Sequence, residues 1–307
     1  MKILLLGANG QLGRTFLMDG GLAARGELVA ATRSGELEVA GQGIPGDLAD
    51  LAGLRALLDA ERPDVIVNAA AYTAVDKAES EEHLATVVNG EAVGVLGGWA
   101  VGNGALVIHF STDYVFPGDA TEPYATTAAT GPQGAYGRSK LAGEQALRAS
   151  GANSMIFRTA WVYSPVGHNF LRTMLRIGAE RDELRVVADQ LGTPTTTKTI
   201  VAGTLAALDC YMGGADNPAL LGTFHLTASG ETSWHGFAKA IFDEAVSAGV
   251  LPKGPVVHAI TTAEFPTPAK RPAYSVLDNR TFVATFGRNL PNWREGLRDV
   301  IRDIATS

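Results

Sequence analysis

A tyrosine and a lysine four residues apart, Tyr136 and Lys140, carry the densest chemistry in this sequence. That spacing sets both side chains on one face of a helix. An ammonium beside a phenol favours the phenolate and draws its pKa down from about 10. Such a phenol can exchange a proton with a carbonyl or alcohol oxygen. Thr112 ends an apolar run and can hydrogen-bond the same reacting oxygen, while Asp113 after it reads equally as a site residue or a turn cap. A second constellation is the glycine run Gly7, Gly10 and Gly13. The first glycine permits a tight turn, the second lets backbone approach a pyrophosphate, and the third lets helix pack close on strand. Backbone donors at Gln11 and Leu12 would then face phosphate at a helix N-terminus.

These residues need a scaffold, and the pattern supplies one. Short β-rich runs at 2–6, 28–32, 65–68, 106–111 and 154–158 alternate with helical stretches at 11–24, 51–60, 77–101 and 136–149. Strands apolar on both faces and separated by helices predict a parallel sheet covered on both sides. With right-handed crossovers this is an α/β, doubly wound Rossmann fold. The second half mixes helices (169–180, 196–210, 233–248, 293–304) with short strands, and five prolines fall between 252 and 272. The division expected is a dinucleotide-binding domain over 1–165 and a smaller mixed α/β, mainly substrate, domain over 166–307, with some segments returning to the first.

Within that fold the glycine run follows the first strand, where it marks a dinucleotide site. Arg33 and Ser34 stand at the end of the second strand, where an NAD-preferring site usually carries an acid. A guanidinium and a hydroxyl suit a 2′-phosphate, so NADP(H) is preferred and NAD(H) remains possible. Asp47 and Leu48 are placed to edge the adenine. Ala69, Ala70 and Ala71 are small enough to let a cofactor lie close to the sheet.

The 307 residues are 46% hydrophobic with a net charge of −7, and they show no basic stripe, which argues against nucleic acid. The one cysteine, Cys210, suits a reducing compartment, and no run resembles a signal peptide or a membrane span. A cytoplasmic protein is expected.

Six runs carry a family resemblance: Gly7-Ala-Asn-Gly-Gln-Leu-Gly13, Val67-Asn-Ala-Ala-Ala-Tyr-Thr-Ala-Val-Asp-Lys-Ala-Glu79, Ser111-Thr-Asp-Tyr-Val-Phe116, Tyr136-Gly-Arg-Ser-Lys-Leu-Ala-Gly-Glu144, Phe157-Arg-Thr-Ala-Trp-Val-Tyr163 and Arg271-Pro-Ala-Tyr-Ser275. Together they resemble the dTDP-4-dehydrorhamnose reductases, extended short-chain dehydrogenases/reductases. The first and fourth are shared with many enzymes of that larger group, and the second and fifth are far more specific. The resemblance implies reduction of the C4 ketone of dTDP-4-dehydro-β-L-rhamnose by NADPH, in dTDP-rhamnose biosynthesis. It implies that Tyr136 donates the proton, Lys140 tunes it and holds the nicotinamide ribose, and Thr112 steadies the carbonyl. Trp161 would contact the sugar with Asp113 nearby, and Arg172, Arg176 and Arg271 are possible diphosphate partners. A reductase of a related dTDP-4-keto-deoxysugar shares these motifs. Dehydratases of this scaffold place an Asp-Glu pair after the strand-end threonine, and here Asp113-Tyr114 stands there. A regulatory, nucleotide-binding subunit is a further reading, which the complete Thr112, Tyr136 and Lys140 set disfavours.

Some of these reductases pair subunits around magnesium held by glutamates. The matching positions here are Thr15, Lys198 and Asp303. Magnesium wants hard oxygen ligands, and a lysine repels it. No metal is therefore expected, and the chain would be a monomer or a metal-independent homodimer, with Lys198 and Asp303 as a pair.

Overall fold

The computed structural model describes residues 1–39, 41–214 and 217–306. Its first half runs β1 (Lys2–Leu6), α1 (Gln11–Asp19), β2 (Glu27–Thr32), β3 (Gly43–Pro45), α2 (Leu51–Glu61), β4 (Val65–Asn68), α3 (Val75–Ala78), α4 (Glu82–Thr86), α5 (Ala92–Asn103), β5 (Leu106–Thr112), α6 (Ala135–Ser150) and β6 (Ser154–Thr159). The second half runs β7 (Val162–Tyr163), α7 (Phe170–Glu180), β8 (Glu183–Val187), β9 (Leu191–Gly192), β10 (Thr195–Thr196), α8 (Thr197–Gly213), β11 (Gly222–His225), β12 (Thr232–Ser233), α9 (Trp234–Ser247), β13 (Val256–Ile260), α10 (Arg280–Phe286) and α11 (Trp293–Ala305).

Seven strands form one parallel sheet in the order β11-β6-β5-β4-β1-β2-β3. The order reverses between β1 and β4, because the chain fills one side through β2 and β3 and then returns. In such sheets ligands sit beyond the carboxyl ends of the strands at that switch point. The loops after β1 and β4 meet there. β1, β4, β5 and β6 are buried almost throughout, as strands covered on both faces must be.

One face is covered by α1, α8 and α10, which bury Phe16, Ile200, Leu208, Phe282 and Phe286 against the sheet. The other is covered by α2, α5 and α6 through Leu54, Leu96, Trp99 and Leu147. A separate core joins α7, α9 and α11 around Tyr163, Phe237 and Trp293. Three segments of the second half, α8, β11 and α10, thus lie in the layers of the first sheet.

Element boundaries depart from the sequence reading at two places. The first helix stops at Asp19, where Gly20 takes a left-handed conformation (φ 74°). The segment expected as one helix from 77 to 101 breaks after α3, and a π turn over Val87–Glu91 joins α4 to α5. That turn carries buried Asn89, whose side chain bonds the backbone N–H and carbonyl of Tyr72 and the hydroxyl of Ser139. A helix widened by one residue turns this amide toward α6 and the loop after β4. Length and mean hydropathy alone single out one helical stretch for membrane spanning, which is not a run of about 20 apolar residues. The helix over Glu82–Asn103 is long and apolar enough, but half of its 18-residue apolar window is buried inside the fold.

Candidate active site

The glycine run opens the site as the spacing predicts. Gly7 adopts φ 78°, and a Cβ there would stand 2.6 Å from the Ala70 backbone. A Cβ on Gly13 would strike the Gly7 carbonyl. Gly10 caps α1 in an extended conformation, and Arg14 is the residue whose N–H returns to it at 2.8 Å. The N–H groups of Gln11, Leu12 and Gly13 therefore point out of the helix start, as a phosphate site requires. Gln11 does more than offer backbone: its side chain donates to the Val162 carbonyl and accepts from Ser164 and Asn169, tying the site to the second half. Leu12 is buried in the sheet core.

Arg33 and Ser34 are exposed at the end of β2, at the rim of the crevice. Acidic residues follow on the same loop. The loop after β2 folds back onto the glycine turn, where Asn9 donates to the Glu36 carbonyl and accepts from the Glu38 N–H. Glu38 pairs with Arg14 at 2.8 Å. Two carboxylates thus stand on the loop that carries Arg33. Asp47 uses one oxygen to accept from the Ala49 N–H. Leu48 is buried in the core beside α2, so only its backbone is open to a ligand. Ala69, Ala70 and Ala71 line the loop after β4, and Asn68 holds that loop by accepting from the Ala70 N–H at 3.2 Å.

At the carboxyl end of β5 the catalytic candidates converge. The Thr112 hydroxyl donates to Asp113 at 2.9 Å and also meets the Tyr136 hydroxyl. Tyr136 packs edge-on against Tyr114, with ring centroids 5.6 Å apart. Lys140 is 2% exposed and lies over β5, where its Nζ donates to the Phe110 carbonyl at 2.6 Å. Glu144 and Arg158 form a buried pair at 2.7 Å beneath, with Ser111 donating to the same carboxylate.

The expected depression of the Tyr136 pKa is not what this geometry gives. Burial pushes the phenol up, the Asp113 and Tyr114 charges push it further, and only Thr112 pulls it back. Burial also draws Lys140 down to about 8, against the opposing charge of Glu144. Desolvation outweighs the Coulomb attraction that the spacing promised, because both groups lie in the same dry wall. A phenol held protonated suits a proton donor.

Asp113 is 2% exposed, and one of its oxygens, Oδ2, has no hydrogen-bond partner. Burial raises its pKa to about 6, with Ser275 and Thr112 pulling the other way. Trp161 lies in the left-handed region (φ 47°), which costs a bulky residue energy. It is held there by a face-to-face stack on Trp234, with centroids 3.5 Å apart and planes within 5°. Gly192 lies flat beneath it, where a Cβ would collide with the indole.

Sequence reasoning did not find Trp234, Ser275, Tyr114 or the partner of Arg271. Arg271 lies 2.6 Å from Asp76 and donates to the Tyr114 hydroxyl at 3.2 Å. It is thus bound to the wall of the site and is not a free phosphate partner. Arg176 pairs with Glu180 in solvent, and Arg172 is exposed on the same helix. Thr15 donates to Thr197, and Lys198 pairs with Asp303 at 2.5 Å as expected. Among the described residues no group of three acidic, histidine or cysteine side chains stands close enough to hold a metal.

The RmlD substrate binding domain family matches residues 1–306. A dTDP-4-dehydrorhamnose reductase of Burkholderia thailandensis is 46% identical, over 99% of each chain. A solved dTDP-4-dehydrorhamnose reductase of Clostridium acetobutylicum is 37% identical and covers 100% of both chains with a TM-score of 0.88. That of Bacillus anthracis, in complex with NADP, is 32% identical over 98% of this chain and 99% of its own, with a TM-score of 0.85. An active site assembled from these six motifs, in a chain matched end to end, belongs to the dTDP-4-dehydrorhamnose reductase family.

Proposed function

We propose that this protein reduces the C4 ketone of dTDP-4-dehydro-β-L-rhamnose to dTDP-β-L-rhamnose, with NADPH as reductant. The observation that carries this reading is the meeting of the Thr112 and Tyr136 hydroxyls at the end of β5, above Lys140. Bound NADPH supplies the hydride. The glycine cradle fits its pyrophosphate, since a side chain at Gly7 would fill the space against Ala70. Gln11, Leu12 and Gly13 offer N–H donors to the phosphates. Arg33 and Ser34 would hold the 2′-phosphate, Asp47 and Leu48 would edge the adenine, and Ala69 to Ala71 would let the cofactor lie close to the sheet. NADP in the B. anthracis relative supports this choice, and NADH remains a weaker alternative.

Tyr136 gives its proton to the O4 oxygen as negative charge develops there. Thr112 donates to the same oxygen and steadies it. Lys140 holds the nicotinamide ribose and stabilises the phenolate that Tyr136 becomes. Trp161, held between Trp234 and Gly192, offers its indole edge to the sugar nucleotide, and Asp113 reaches the sugar hydroxyls. Residues 1–165 are the cofactor domain and 166–307 mainly the substrate domain. We place the protein in the cytoplasm, on its single cysteine, Cys210, and on its nucleotide chemistry. It acts as a monomer or as a homodimer that needs no metal.

The test is incubation with NADPH and dTDP-4-dehydrorhamnose, followed at the reduced-nicotinamide band, with the product identified by mass and NMR. Oxidation of NADPH with formation of the rhamnose epimer supports the reading. Nucleotide binding without oxidation would instead assign a regulatory subunit.

A further inference from the structure

His109 is a fully buried titratable group on β5 with no task in the reduction as described. Its ring bridges two walls of the site. Nε2 stands 3.3 Å from Lys140 Nζ on α6, and Nδ1 stands 3.1 Å from Asn68 Nδ2 at the end of β4. Asn68 Oδ1 is already engaged by the Ala70 N–H. That bond fixes the orientation of the amide, so Asn68 donates to Nδ1. Burial holds His109 well below its ordinary pKa, so the ring is neutral. A neutral imidazole carries one N–H, which must then sit on Nε2 and point at Lys140.

An ammonium has three donors and no lone pair to receive that N–H. A neutral amine completes the network: it accepts from His109 Nε2 and donates to the Phe110 carbonyl. A protonated Lys140 would require the other tautomer and set Nδ1–H against the Asn68 amide donor. Only with the amine neutral is each buried group in the chain from Ala70 through Asn68 and His109 to Lys140 satisfied, and an unsatisfied buried donor costs about 1–3 kcal/mol.

We propose that His109 is a positioning residue that holds the unliganded Lys140 as the neutral amine, so that the lysine gains a proton when the nicotinamide cofactor binds. The inference rests on the reading of Tyr136 and Lys140 as the reacting pair. The charged groups facing Lys140 are Glu144 and Tyr136 on its own helix, Arg158 on β6 through its pair with Glu144, and Asp113 at the end of β5 beside Tyr136. Arg158 and Glu144 neutralise each other, which leaves His109, beside the Phe110 carbonyl, as the titratable group that contacts Nζ from the strand side. Burial drawing Lys140 to about 8 acts in the same sense. A bound cofactor reverses the balance, because ribose hydroxyls accept from an ammonium and the phosphates favour positive charge.

Calorimetric titration of the intact protein with NADPH at about pH 8.5, in two buffers of different ionisation enthalpy, reads proton uptake directly. The 2′-phosphate is fully ionised there and does not contribute. A net uptake is expected. His109→Leu removes the donor to the amine, so a larger share of its Lys140 is protonated before binding and the uptake is reduced. His109→Gln can place an amide N–H toward the amine and retains it. Lys140→Met abolishes uptake in either background. No uptake by the unmodified protein overturns the inference, as does unchanged uptake in a folded His109→Leu. If Lys140→Met leaves both uptake and turnover intact, it is the reading of the catalytic pair that fails.

Discussion

Replacing Asp113 by asparagine is expected to stabilise the protein at neutral pH and to lose that gain in acid. Asp113 is 2% exposed, and burial lifts its pKa from 3.8 to about 6 against the pull of Ser275 and Thr112. A carboxyl whose folded pKa exceeds its unfolded value binds more protons in the folded chain between the two. Stability therefore falls as pH rises from about 4 to about 6, and stays lowered above that window. A shift of roughly two units corresponds to about 3 kcal/mol at pH 7. Asparagine is uncharged, keeps an acceptor for the Thr112 hydroxyl, and sets a donor where Oδ2 has no partner. Urea denaturation of both proteins, followed by tryptophan fluorescence at about pH 7.5, 6 and 4.5, measures the difference. The advantage of the variant is expected to shrink from about 3 kcal/mol toward zero across that series, while turnover falls because the carboxylate faces the sugar. A difference independent of pH, or a variant less stable at the highest pH, refutes the account.

Three other perturbations separate the parts of the site. Tyr136→Phe removes only the proton donor, so turnover should fall about 10²–10⁴-fold while NADPH affinity, read by fluorescence titration, holds; near-normal rates would remove Tyr136 from the mechanism. Arg33→Ala should weaken NADPH more than NADH, and Glu38→Gln should strengthen NADPH by lifting a like charge from the same loop; equal effects on both cofactors would show that neither residue senses the 2′-phosphate. The Lys198–Asp303 pair is half in solvent, so Lys198→Ala should cost about 0–1 kcal/mol, and EDTA should change neither sedimentation nor activity. A metal-dependent dimer would contradict that.

The sheet and the glycine cradle were legible because their signals are short in range. An apolar run, a glycine with φ 78° at its end and a helix after it are one continuous stretch, and the same holds for the i,i+4 pair on α6. What escaped was contributed from far along the chain. Trp234 reaches Trp161 across 73 positions, and Arg271 reaches Asp76 across 195. Neither partner carries a local mark of its role. Trp234 falls in the first turn of an expected helix, and Arg271 read as a possible diphosphate partner. The helix break at Val87–Glu91 was hidden for a related reason. Asn89 has an ordinary helical neighbourhood in sequence, and only its three side-chain bonds to Tyr72 and Ser139 explain the extra residue in that turn.

The charge balance of the catalytic pair was the part that spacing could suggest but not decide. Four residues of helix bring an ammonium near a phenol, and in water the attraction would govern both pKa values. In this fold α6 lies against β5, and the same contact that aligns Tyr136 with Thr112 removes Tyr136 and Lys140 from solvent together. The penalty for burying charge then falls on both members, raising the phenol and lowering the amine. On the proposed roles the outcome serves a reductase: the donor would keep its proton until a carbonyl oxygen gathers charge beside it, and the lysine would meet the cofactor on terms set by the groups around it. Burial, which a sequence records only as a run of apolar neighbours such as Leu106-Val-Ile-His-Phe110, decides the chemistry that the motif announces.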